Sequence, residues 1–158
     1  MGNHRWPGIA ELQGGGTPIH GRRTLAAQEN VSVELVAVFA YPGGLSLRLM
    51  VTATGAVAAA ARHETRPLTD PADTSARWSY LLVRVRVDDQ DAVADPFHPL
   101  TRALGTGPEA LYRSEPRYWI PLFPASRAIA VTTGWPEIGL DPTTTLVEVG
   151  QCPFTEAG

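Results

Sequence analysis

Arg117-Tyr118-Trp119-Ile120-Pro121-Leu122-Phe123-Pro124 and, three residues later, Ala128-Ile129-Ala130-Val131-Thr132-Thr133-Gly134-Trp135-Pro136 decide the fold class. Each apolar run carries a tryptophan and is stopped by proline. Proline cannot donate to a sheet ladder, so it collects at strand ends, edges and bulges. The pattern reads as strand, Pro-bounded loop, strand, Pro turn. No helix periodicity competes with it.

Working outward, residues 31–41 predict a strand in which Val31, Val33, Leu35, Ala37, Phe39 and Tyr41 share one face. Pro42-Gly43-Gly44 supplies turn chemistry, and Leu45, Leu47, Leu49 and Val51 then alternate with Ser46, Arg48 and Thr52. Together they predict a β-hairpin. Val83, Val85 and Val87 alternate with Arg84, Arg86 and Asp88, which predicts a strand over 77–88 ending in the polar turn Asp88-Asp89-Gln90-Asp91. Further strands are expected at 118–121, 128–134 and 143–149, with a short edge strand at 24–28. Ala56 to Arg62 could form a helical turn or two by propensity, and read as a short helix or an irregular segment. Residues 64–76 read as a loop. Residues 95–117 carry Pro96, Pro99, Gly105, Gly107, Pro108 and Pro116, and read as a long connection, either a flexible excursion or a functional loop.

Six to eight strands with little helix imply an all-β domain. Two packed sheets bury the inward rows best, as in an immunoglobulin-like or jelly-roll-like β-sandwich. The expected organisation is a flexible arm over 1–18, one domain over 19–150 and a frayed tail over 151–158.

Composition narrows the function. A chain of 158 residues buries enough surface to fold without disulfides or metal. The net charge of −3 gives no reason to expect nucleic acid or an anionic membrane as partner. All 13 basic Lys/Arg positions are Arg, spread along the chain. The single Cys152 excludes an internal disulfide and suits a reducing, cytoplasmic compartment. No apolar run is long enough to span a membrane.

Three stretches resemble a known group. Val31-Ser-Val-Glu-Leu-Val-Ala-Val-Phe-Ala-Tyr-Pro-Gly-Gly-Leu-Ser-Leu-Arg-Leu, Tyr118-Trp119-Ile-Pro-Leu-Phe-Pro and Gly134-Trp135-Pro-Glu-Ile-Gly-Leu together resemble a family of small actinobacterial β-rich proteins with paired Trp/Pro motifs. The resemblance implies a β-rich fold. It implies no substrate, because no activity is assigned to that family.

Candidate sites are few. His4, His20, His63 and His98 form no close pair of metal-ligand spacing, so no metal and no cofactor is expected. Asp88, Asp89, Asp91 and Asp95 lack the glycine and terminal glutamate of an EF-hand loop and read as a solvated turn. Cys152, Ser114 and Ser126 have no activating context, so no catalytic residue is assigned. Trp78, Trp119 and Trp135 read first as core. Trp119, with Tyr118, Arg117 and Arg113 beside it, is the binding candidate. The expected function is a non-enzymatic protein-interaction or self-assembly module, in which the loop of 89–117 and the Trp119 loop meet a protein partner or a second copy. The alternative is a small-molecule-binding or enzymatic β-barrel with its site at Arg117, Tyr118 and Trp119.

Overall fold

A computed structural model of the protein describes residues 5–6, 16–64 and 80–153. The strands are β1 (Arg5–Trp6), β2 (Thr17–His20), β3 (Arg23–Gln28), β4 (Val31–Tyr41), β5 (Gly44–Thr54), β6 (Leu82–Val87), β7 (Gln90–Ala94), β8 (Phe97–Leu104), β9 (Leu111–Ile120), β10 (Ala128–Trp135) and β11 (Leu140–Glu148). The helix α1 (Gly55–Glu64) follows β5, as the alanine run predicts. A five-stranded sheet has the order β1-β7-β6-β10-β11. A six-stranded sheet has the order β2-β4-β5-β9-β8, with β3 also pairing β4. The sheets pack face to face over one apolar core, the all-β two-sheet sandwich expected from sequence. No helix among the described residues is long and apolar enough to cross a membrane.

The β4–β5 hairpin forms as predicted, but the expected inward row of β4 holds only for its first half. The pairing runs Leu35↔Leu49, then Ala37↔Arg48, which leaves Val36 as an extra, bulged residue. One extra residue reverses which side chains face the core. Val31, Val33 and Leu35 are buried, and the row continues through Val38 and Ala40. Ala37 and Phe39 therefore point outward. The other neighbour of β4 changes at the same place: Arg23 pairs with Leu35, whereas His20 pairs with Val38. At the hairpin turn Gly44 has φ 152°, and a Cβ there would collide with the Ile120 carbonyl. Glycine thus lets the end of β9 approach the turn.

The long loop expected over 89–117 is not a loop. It contains β7, β8 and most of β9, with β8 and β9 joined through a 3-10 turn at Gly107–Glu109. The prolines that suggested a loop sit between strands, in the 3-10 turn, or where strand pairing lapses. Pro99 lies in the register break between Phe97 and Leu100. Pro116 falls between Ser114 and Arg117, which pair with Val51 and Arg48 of β5, so the register runs unbroken past it. At such points a missing N–H costs the sheet little. These segments, with β1 and β2, raise the strand number above the six to eight expected.

The arm expected over 1–18 is described at 5–6 and 16–18, and there it is ordered structure. Arg5 and Trp6 pair in parallel with Val93 and Ala94 of β7. Trp6 is only 3% exposed, and its Nε1 donates to the Val85 carbonyl at 3.0 Å. At the other end, the amides of Val149 and Gly150 donate to the Arg127 carbonyl at 2.9 and 3.1 Å. Trp78, most of the 64–76 loop and the end of the expected tail lie outside the described residues.

One flank of the sandwich is closed by side chains. Arg23 Nη1 donates to the Leu146 carbonyl at 2.9 Å, and the Asp141 amide donates to Gln28 Oε1 at 3.0 Å. Thr145 Oγ1 donates to the Leu25 carbonyl at 3.2 Å. The first two bonds occupy backbone groups of β11 and the third occupies one of β3, groups that would otherwise invite another strand.

Candidate functional site

The outer face of the larger sheet carries most of the residues singled out from sequence. Burial along β9 assigns Tyr112, Ser114, Pro116, Tyr118 and Ile120 to the inner face, leaving Arg113, Glu115, Arg117 and Trp119 outside. The structure therefore separates Tyr118 from its three sequence companions. Arg117, Tyr118 and Trp119 do not converge on one cavity, as a site at a barrel mouth would require.

Trp119 is in strand β9, not in a loop, and is 6% exposed. Its ring meets Tyr41 edge-on at 5.9 Å. Gly43 also faces the indole, since a Cβ there would stand 3.6 Å from it. Trp119 thus packs against the turn of the β4–β5 hairpin, while Trp135 is fully buried between the sheets.

The register brings arginines together. Arg48 on β5 stands directly opposite Arg117 on β9. Arg113 on β9 stands directly opposite Arg102 on β8. The Arg48 guanidinium lies 4.5 Å over the Phe39 ring, and its Nε is buried without a hydrogen-bond partner. Arg102 and Arg113 are exposed. Glu115 lies between Arg113 and Arg117 on β9. The ion pairs Arg22–Glu34 (3.5 Å) and Arg84–Asp91 (3.3 Å) involve none of these four arginines.

A second polar group is internal. The hydroxyls of Tyr80 and Ser114 share a hydrogen bond, and Ser114 Oγ bonds Thr101 Oγ1 at 2.8 Å. The Tyr80 and Tyr112 rings pack on Trp135 at 5.5 and 5.9 Å. The Tyr118 hydroxyl is buried with no hydrogen-bond partner among the described residues. Burial pushes its pKa well above the usual tyrosine value, and neighbouring Tyr80, Asp95 and Tyr112 push it the same way. Burial likewise raises Tyr80, partly offset by its bond to Ser114. All these hydroxyls are neutral donors and acceptors at physiological pH.

Asp88 and Asp91 of the 88–91 turn are engaged in structure. Asp88 has φ 54° and accepts the amides of Ala125 at 2.8 Å and Ser126 at 3.1 Å, tying the β6–β7 turn to the β9–β10 connection. Those hydrogen bonds lower its pKa. Among the described residues no group of three or more His, Cys, Asp and Glu is placed to hold a metal ion. An open cleft of about 470 Å³ lies between α1 and the β8–β9 turn, bordered by Arg62 and His63 and by Leu104, which is 62% exposed.

Sequence reading missed both groupings. Arg48, Arg102, Arg113 and Arg117 look scattered until three strands are placed in register. Tyr112, Ser114 and Tyr118 share parity along one strand, a signal hidden while 95–117 reads as a loop. No family model, curated protein or solved structure matches this chain.

Proposed function

We propose that the chain is a non-enzymatic protein-interaction module that binds an acidic protein segment on the outer face of its larger sheet. The observation that carries this is the pair of cross-strand arginine contacts, Arg48↔Arg117 and Arg113↔Arg102. Like charges directly opposite on a sheet destabilise it. General basicity does not explain two such pairs on one face, since the chain as a whole carries −3. A carboxylate between two guanidinium groups turns the repulsion into charge-assisted, forked hydrogen bonds.

The spacing gives the partner a pattern. Arg113 and Arg117 are four residues apart on one strand, which is about 13 Å. Glu115 between them repels a carboxylate placed midway. The favoured partner is an extended segment with two acidic positions about 13 Å apart and a neutral residue between them.

Fluorescence anisotropy tests this with a labelled peptide carrying Glu at positions 1 and 5 and Ser at position 3. Binding should be saturable and weaken with salt. It should fall in Arg113→Gln and Arg117→Gln, and fall again when Ser at position 3 of the peptide becomes Glu. Affinity indifferent to both arginine substitutions would sink the proposal, as would equal binding of a single-stranded oligonucleotide.

A further inference from the structure

Arginines stand opposite each other at each end of the arginine face, Arg48 with Arg117 and Arg102 with Arg113. Among the described residues none of the four has an ion-pair partner. The pairs differ in exposure. Arg48 and Arg117 are half-buried, and the Arg48 guanidinium is steadied 4.5 Å over the Phe39 ring. Arg102 and Arg113 are exposed. Glu115, also exposed, lies between them on β9, so the face runs positive pair, carboxylate, positive pair.

We infer that the acidic groups taken by this face are phosphate monoesters, and that the partner is a segment phosphorylated on serine or threonine at two positions four residues apart. The inference rests on the acidic-partner reading and narrows it to one anion. Charge stoichiometry decides between anions. A carboxylate brings one negative charge to two guanidinium groups and leaves the pair with one positive charge in excess. A phosphate monoester brings about −1.5 to −2 near pH 7 and three acceptor oxygens. It neutralises the pair and engages both forks of N–H donors. A nucleic-acid phosphodiester carries a single charge per phosphate and matches the pair no better than a carboxylate. Glu115 repels a dianion placed midway more strongly than a carboxylate, which holds the two phosphates apart. The Arg48–Arg117 pair is the more selective, because charge withdrawn from water interacts more strongly and the Phe39 ring fixes one of its members.

Fluorescence anisotropy with the full chain tests this at about pH 7.5, where a phosphate monoester is close to doubly ionised. The reference peptide has Glu at positions 1 and 5 and Ser at position 3. Phosphoserine at both 1 and 5 should bind at least about tenfold more tightly than the reference. Of the two singly phosphorylated peptides, with Glu at the other position, one should hold most of that gain. Arg117→Gln should cut the preference for phosphoserine over Glu to about threefold or less, and Arg102→Gln should leave most of it. Equal affinity of the phosphoserine and Glu peptides would overturn the inference and leave the acidic-partner reading standing. A preference unmoved by Arg117→Gln would overturn it as well. Binding of none of the peptides would remove both readings. A single-stranded oligonucleotide that binds as tightly as the doubly phosphorylated peptide would reassign the face to phosphodiesters and overturn both.

Discussion

Arg48 and Arg117 face each other across β5 and β9, and Arg48 also stacks 4.5 Å over Phe39. The two partners are therefore unequal. Arg48 contributes packing as well as charge, whereas Arg117 contributes mainly charge. Arg117→Gln should raise stability to unfolding in urea by about 0.2–1 kcal/mol at low salt, the size of a cross-strand pair effect. The gain should shrink as salt screens the repulsion. Arg48→Gln should lower stability instead. A loss of stability in Arg117→Gln would mean that the repulsion is already relieved within the chain.

Two buried tyrosines, Tyr118 and Tyr80, should respond with opposite signs. Tyr118→Phe deletes a buried hydroxyl that has no partner, and should stabilise the fold by about 1 kcal/mol. Tyr80→Phe deletes a hydroxyl bonded to Ser114, and should destabilise it by about 0.5–1.5 kcal/mol. Paired urea titrations read both.

Asp88 ties two turns together through the Ala125 and Ser126 amides, and its folded pKa is depressed. A carboxylate with a depressed folded pKa contributes stability above its unfolded pKa and loses it as pH falls through the folded one. Asp88→Asn keeps an acceptor oxygen and tolerates the left-handed backbone. The wild type should melt higher than this variant at neutral pH. The difference should close as pH drops through and below the carboxylate range. A difference independent of pH would show that charge plays no part.

Trp6 anchors the parallel strand pair and donates to Val85. Trp6→Ala should cost about 3–5 kcal/mol, the penalty of emptying a large core site. Unfolding in denaturant monitored by circular dichroism gives the value. An effect below about 0.5 kcal/mol, the scale of surface substitutions, would remove residues 5–6 from the core.

Legibility in the sequence followed how far polar residues marked one face. In β5, Ser46, Arg48 and Thr52 separate inside from outside, and the reading holds. In β4, Val36, Ala37, Val38, Phe39 and Ala40 are apolar whichever way they point, so the bulge at Val36 leaves no trace in the pattern. In β8, Pro99 marks an irregular step in a ladder, and in β9 Pro116 sits within an unbroken register; composition alone cannot separate either use from a loop. Trp6 stands in Gly/Pro-rich surroundings and forms a strand of two residues, too short for any periodicity. The arginine pairs and the Tyr80–Ser114–Thr101 group depend on register between strands distant in sequence, which a single-chain pattern does not encode.

The parallel pairing of β1 also sets a timetable. Trp6 precedes its hydrogen-bond partner Val85 by 79 residues. Synthesis at about 5–20 residues per second places roughly 4–16 s between the two. Throughout that interval the indole has no native cleft to enter, although the neighbouring β4–β5 hairpin can already form. The strand β1 thus waits for partners made much later, and the nascent chain carries an unsheltered tryptophan until β6 and β7 have emerged.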